Sequence, residues 1–140
     1  MKTAYPTFIA EHKGCYLVFV PDLEINTEGA SFADAMEMAR DAIGLMGMSI
    51  EDDGGEIPQP SDYSGAMAKA KADADEVFDY SQGVLTLVDV DFAEYRRKYD
   101  RRMVRRNVTL PAWLDVEALE AKINVSQVLR EALQEKLAIE

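Results

Sequence analysis

Hydrophobic and polar positions change their period several times along this chain, and each change marks an element. Ala4–Glu11 and Tyr16–Val20 are rich in β-branched and aromatic side chains and flank His12-Lys13-Gly14, which predicts a β-hairpin. Pro21-Asp22-Leu23 ends the second strand, Glu24–Glu28 can form a short third, and Gly29 breaks the pattern. From there the period lengthens. Phe32, Met36, Ala39, Ile43, Met46 and Ile50 recur every three or four residues, as one face of a long helix laid over a sheet does. Ser31, three positions before Asp34, supplies the matching start signal.

The middle of the chain is less regular. Asp52-Asp-Gly-Gly55 and Pro58-Gln-Pro60 cannot continue a helix, which predicts an exposed loop spanning residues 49–82. Within it, Ala66–Asp75 alternates Ala with Lys, Asp or Met and shows no apolar stripe, so it is expected as a solvated helix or a disordered insert. Strand composition returns over Gly83–Val90, and Asp91 is placed to cap a short helix through Tyr95. The Arg- and Lys-rich run that follows predicts a hinge over residues 96–104, dividing a body of residues 1–95 from a module of residues 105–140.

That module opens with one alternating strand that stops at Pro111. A proline is tolerated in the first turn of a helix, where its missing amide has no partner to lose, so Pro111 predicts a helix from about Ala112. Asn124 opens a second. The first helix buries Leu114 or Trp113 with Leu119 and Ile123, and the second carries Val125, Val128, Leu129, Ala132, Leu133 and Leu137 on one stripe. The stripe is wide for so short a helix, which points to a dimer core.

Charge sharpens the division. The net charge of −11 conceals 5 Lys and Arg against 19 Asp and Glu in residues 1–95, and 10 against 7 in residues 96–140. An acidic body repels nucleic acid and attracts a basic protein, while the basic segment attracts phosphate. One cysteine excludes an internal disulfide, no apolar run approaches the roughly 20 residues of a membrane span, and the start lacks a secretory signal. The cytoplasm is the expected compartment.

A lone strand with polar side chains on one face has little to do inside a monomer; it makes sense when two chains pair it. Strand, helix, helix in that order, behind a basic run, is a ribbon-helix-helix that binds DNA as a dimer. Alternation turns Arg105, Asn107 and Thr109 to one face and Val108 and Leu110 to the other. In a major groove Arg can read guanine, Asn adenine, and Thr a polar edge or the thymine methyl. Val108 and Leu110 then join Val128, Leu129 and Leu133 in the dimer core. Asn124 as cap leaves the amides of Val125 and Ser126 near a positive helix end, ready for a phosphate, and Arg101 and Arg102 supply phosphate contacts on the approach.

Catalytic chemistry has less to stand on. Asp22, Asp34, Asp89 and Asp91 are available for a two-metal nuclease, yet among 26 acidic residues four near strand ends carry little weight. The single histidine, His12, cannot make a multi-imidazole site and is expected as a turn residue, and Cys15, with no second cysteine, as a packing residue. No catalytic residue, metal or cofactor is assigned. Tyr5, Phe8, Tyr16 and Phe19 have the spacing of a sheet core. A small-molecule pocket built from them would make the chain a ligand-responsive repressor, which is the alternative function.

Arg105–Leu114 with Asn124–Leu133 resembles the ribbon-helix-helix repressors. Tyr5-Pro6, Gly14–Leu23, Thr27–Ser31, the trio Ala35, Ala39 and Ala42, and Ile57–Ser61 narrow this, and in that order the chain resembles the HicB antitoxin family over roughly residues 4–61 and 84–137. The resemblance implies an α+β fold: a partial ribonuclease-H-like N-terminal domain, antiparallel sheet with one long helix, that silences a HicA-type ribonuclease toxin, and a C-terminal ribbon-helix-helix that represses the operon. The unpaired strand makes a homodimer the expected assembly, with pairing of dimers into a tetramer left open, and no membrane partner is expected.

Overall fold

A computed structural model describes residues 1–139; the chain divides into two compact units, the boundary falling between Arg102 and Met103. In the first unit β1 (Lys2–His12), β2 (Cys15–Val20), β3 (Ile25–Gly29) and β4 (Val84–Asp91) form an antiparallel sheet of order β3-β2-β1-β4. The hairpin of β1 and β2 closes through Lys13 and Gly14, both at positive φ (51° and 82°), the turn whose twist matches that of the strands it joins. Pro6 sits in a central strand. Its ring costs no ladder bond because the β1–β2 register ends at Phe8 opposite Phe19, and opposite Leu87 on β4 it occupies a pair that exchanges no amide bonds.

The strand period puts Tyr5, Ile9, Val18, Val20, Ile25, Val88 and Val90 on one face, under α1 (Phe32–Asp52). Ser31 caps α1 as expected, its Oγ accepting from the Asp34 amide at 3.0 Å while Asp34 Oδ2 accepts from the Ala30 amide at 2.7 Å. Ala35, Ala39 and Ile43 are buried on the sheet, with Phe32, Met36, Met46 and Ile50 half-buried around them. Helix α2 spans Tyr63–Asp73, and α3 (Phe92–Tyr99) is capped by Asp91 Oδ1, which accepts from the amides of Ala93 and Glu94. Helix α3 packs on α1 through two glycines. A Cβ at Gly44 would fall within the Tyr95 ring and one at Gly47 within the Phe92 ring.

The opposite face carries Phe8, Phe19 and Leu85. Residues 49–82 are not one exposed loop: α1 continues to Asp52, and α2 lies on the sheet with Ala66 and Ala70 fully buried against Phe8 and Phe19. The seam consists of methyl groups, too small to register as a hydrophobic stripe yet small enough to let a helix approach closely. Asp22 fastens it. The fully buried Asp22 carboxylate accepts from the Ser61 amide at 2.8 Å, from Ser61 Oγ and from Lys69 Nζ at 2.6 Å, and Tyr5 Oη donates to the Pro58 carbonyl. Burial pushes the Asp22 carboxyl up, but the hydrogen bonds from Lys69 and Ser61 outweigh it and hold the group below its ordinary value.

Asp22→Asn is therefore expected to cost about 1–3 kcal/mol at neutral pH, because Ser61 and Lys69 lose a charged acceptor. The lowered folded-state value means that this contribution is present above the unfolded carboxylate value of about 3.9 and is lost as pH falls through the folded one. Urea midpoints of the native chain and the Asp22→Asn variant should thus converge at acid pH. A gap that stays constant from neutral pH to below that window would contradict the role given to the carboxylate.

In the second unit α4 (Ala112–Glu120) starts directly after Pro111, whose carbonyl accepts from the Leu114 and Asp115 amides at 3.0 and 3.1 Å. Lys122 at φ 55° and the bond from the Ile123 amide to the Ala118 carbonyl close that helix, a position glycine more often fills. Asn124 then caps α5 (Val125–Lys136), its Oδ1 accepting from the Gln127 amide at 3.1 Å.

Candidate functional site

No described side chain in residues 103–138 is buried. The two helices hold their intended stripes, but in a single chain those stripes face solvent: Trp113, Leu119, Val128 and Leu133 are all more than half exposed, Leu129 is half-buried, and Leu114, Ile123 and Val125 are exposed as well. Val108 and Leu110 are exposed too. Residues 100–111 form neither helix nor strand, so the strand expected before Pro111 is not formed in the single chain, which offers it no partner. Arg105, Asn107 and Thr109 are accessible along this stretch, as are Asn124, Val125 and Ser126 at the start of α5. An apolar surface of this extent on so small a unit marks an interaction site.

The basic run divides. Residues 96–99 belong to α3 rather than to a hinge, and two of the arginines are tied to carboxylates of the first unit. Arg96 lies 3.2 Å from Asp52 and 3.0 Å from Asp100, and Arg102 lies 2.8 Å from Asp100 and 3.0 Å from Asp52. Hydrogen bonds from Arg102, and then from Arg96, hold the half-buried Asp100 carboxyl well below the usual carboxylate range. The clasp fixes the C-terminal end of the first unit to the end of α1. Arg102 can meet a phosphate only by exchanging these carboxylates for it, whereas Arg101 has no such ion pair among the described residues.

A groove of about 690 Å³ in the first unit is lined by α1, α3, the start of β1 and the end of β4. Six carboxylates line it (Asp34, Glu37, Asp41, Asp89, Asp91, Glu94) against the cations Lys2, Arg40 and Lys98. Arg40 bonds the Asp89 carbonyl and carboxylate, each at 3.0 Å, and Tyr95 Oη donates to Asp41. Burial, then the Asp41 bond, pushes the Tyr95 phenol up to about 12. Sequence reasoning found the acidity of this unit but not the groove, since its carboxylates come from three separate elements.

The four aspartates considered for a metal site are each engaged elsewhere: Asp22 with Ser61 and Lys69, Asp34 and Asp91 as helix caps, Asp89 with Arg40. Among the described residues no group of three or more His, Cys, Asp or Glu could hold a metal ion. His12 sits at the hairpin turn with its ring edge-on to Phe78, at 5.3 Å. Cys15 is exposed at the start of β2 and so is not a packing residue, because its position next to the turn leaves no element above it. The aromatic set shares no common cavity. Tyr5 and Tyr16 pack under α1, and Phe8 and Phe19 under α2. No helix among the described residues is long and apolar enough to cross a membrane.

Comparison with known proteins places this arrangement. A family model described as the HicB-like antitoxin of bacterial toxin-antitoxin systems matches residues 5–138. A chain of a toxin-antitoxin complex from Streptococcus pneumoniae is similar at 26% identity and a TM-score of 0.60, covering 97% of this chain and 99% of that one. The antitoxin HicB of Burkholderia pseudomallei shares the fold at 24% identity and a TM-score of 0.52, with 97% of each chain covered. A comparison with curated proteins found no match.

Proposed function

The chain belongs to the HicB-like antitoxin family, and we propose that it neutralises a HicA-type ribonuclease toxin through its first unit and represses its own operon through a dimeric ribbon-helix-helix in its second. One observation carries the DNA-binding half: residues 103–138 contain two helices, the second capped by Asn124, and no buried side chain. A second copy supplies what is missing. Residues 105–110 of two chains pair as a ribbon, Val108 and Leu110 turn inward, and Val128, Leu129 and Leu133 of both chains close the core. The first unit, partial ribonuclease-H-like in this reading, acts in the cytoplasm by binding the toxin rather than by catalysis.

The charge distribution supports this division of labour. Residues 1–102 hold 10 Lys and Arg against 20 Asp and Glu, and residues 103–140 hold 5 against 6. The second unit is thus close to neutral, and its attraction for DNA rests on where its cations stand. Arg105 lies on the reading face with Asn107 and Thr109, Arg101 meets the phosphate backbone on the approach, and Arg102 joins it on leaving the clasp. The amides of Val125 and Ser126, behind the Asn124 cap, hold a phosphate at the start of α5.

Base reading and phosphate attraction separate experimentally. Asn107→Ala should cost about 1–3 kcal/mol on operator DNA and leave nonspecific binding nearly intact. Arg101→Ala should weaken all sequences alike and reduce the salt dependence by about one unit. Titration of operator and scrambled duplexes at several salt concentrations measures both. An unchanged operator-to-scrambled ratio in Asn107→Ala, with a collapsed one in Arg106→Ala, would mean that the ribbon presents its other face.

A further inference from the structure

Sheet order leaves β4 at the margin, and its outer edge bears directly on where the partner of the first unit binds. The Phe92 amide continues the ladder to the Met1 carbonyl, whereas the Asp89 carbonyl points the other way, to Arg40. Backbone groups alternate along a strand, so Leu85 and Leu87 also aim theirs outward, where no strand lies among the described residues. Edges are ordinarily guarded by charge, and here the guard covers one end only. Arg40 blocks Asp89, while Leu85 and Leu87 have no such guard, and the Leu87 side chain is 64% exposed. Where the guard begins, the acidic groove begins.

We propose that the toxin docks by laying an extended, basic segment along the outer edge of β4, where the Leu85 and Leu87 backbone groups pair with it and Glu37 and Glu94 in the groove receive its cations. The proposal rests on the antitoxin reading and names its surface. An added strand turns alternate side chains toward the face covered by α1, so cations at alternate positions enter the groove while the intervening side chains meet Leu87. The sign of the groove selects the occupant. A second copy would bring two carboxylate-lined grooves together, and nucleic acid would bring phosphates to carboxylates; a basic protein meets neither penalty.

The test uses the full chain and the purified basic protein encoded by the adjacent reading frame, with affinity measured at moderate salt. Glu37→Lys combined with Glu94→Lys reverses two exposed groove charges that make no side-chain hydrogen bond, and should weaken binding by at least roughly tenfold. Leu87→Pro removes an outward amide that β1 does not use, and should weaken it by a similar factor. Asp73→Lys with Glu76→Lys, outside the groove, should change it less than about threefold, as a rim charge remote from the interface would. If the native chain binds and the groove pair binds equally well, the surface is wrong and the antitoxin reading stands. If the native chain does not bind, the reading itself falls and the surface with it. Because Leu87→Pro can unfold the sheet, amide exchange of Leu85 and Leu87 in the native complex gives a second measure: both should become protected, and unchanged exchange would overturn the strand pairing.

Discussion

Leu133→Asp is expected to leave the chain monomeric and to abolish specific operator binding. In the isolated chain Leu133 is half exposed on the apolar stripe of α5, so the substitution removes nothing buried within one copy. Its cost arises only on pairing. A symmetric interface uses the same position twice, so two carboxylates would enter a desolvated core without partners. At several kcal/mol for each, the dimer loses at least about 5 kcal/mol, close to four orders of magnitude in its association constant. Operator binding needs two half-sites held together and falls with it. Sedimentation equilibrium and operator titration measure the two losses. Glu131→Ala, on the polar face where Glu131 accepts from Gln127, should affect neither. A Leu133→Asp chain that remains dimeric would remove the ribbon-helix-helix assignment.

Substitution of Gly47 should produce the largest loss of stability in the first unit. Gly→Ala inside an open helix gains about 1 kcal/mol in helix propensity. At Gly47 the sign reverses, because the added Cβ overlaps the Phe92 ring, which is itself buried and can retreat only by lifting α3 from α1. Gly47→Ala is expected to lose about 2 kcal/mol and Gly47→Leu about 4 kcal/mol, beyond ordinary overpacking. Urea denaturation followed by far-ultraviolet circular dichroism tests this. The double variant Gly47→Ala, Phe92→Leu should be more stable than the two single losses sum to, since the smaller side chain vacates the overlap. A stabilising Gly47→Ala would place α3 elsewhere.

Where a side chain's own pattern reported its surroundings, the sequence was sufficient. Ser31, Asp91 and Asn124 mark helix starts because a cap acts on amides a few residues away, and Pro111 marks one because a helix start loses nothing to its missing amide. The β1–β2 hairpin and the α1 stripe were legible for the same reason: strand and helix periods reflect one buried face. The pairing proposed for residues 105–110 likewise rests on the sequence, as a polar and apolar alternation with no complement elsewhere in the chain.

Tertiary structure decided what depends on size and on distance through space. Ala66 and Ala70 form a core seam, but alanine is common on solvated helices, and only the apposed Phe8 and Phe19 reveal it as buried. Gly44 and Gly47 resemble helix-weakening residues until Tyr95 and Phe92 occupy the space beside them. Asp22 becomes a fastening only when Ser61 and Lys69, 39 and 47 positions away, fold onto it. The acidic groove likewise draws its carboxylates from α1, β4 and α3. Local periodicity determines elements because backbone hydrogen bonding and side-chain alternation act over a few residues; close approach and charge clustering join residues far apart in the chain, and only the packed fold brings them together.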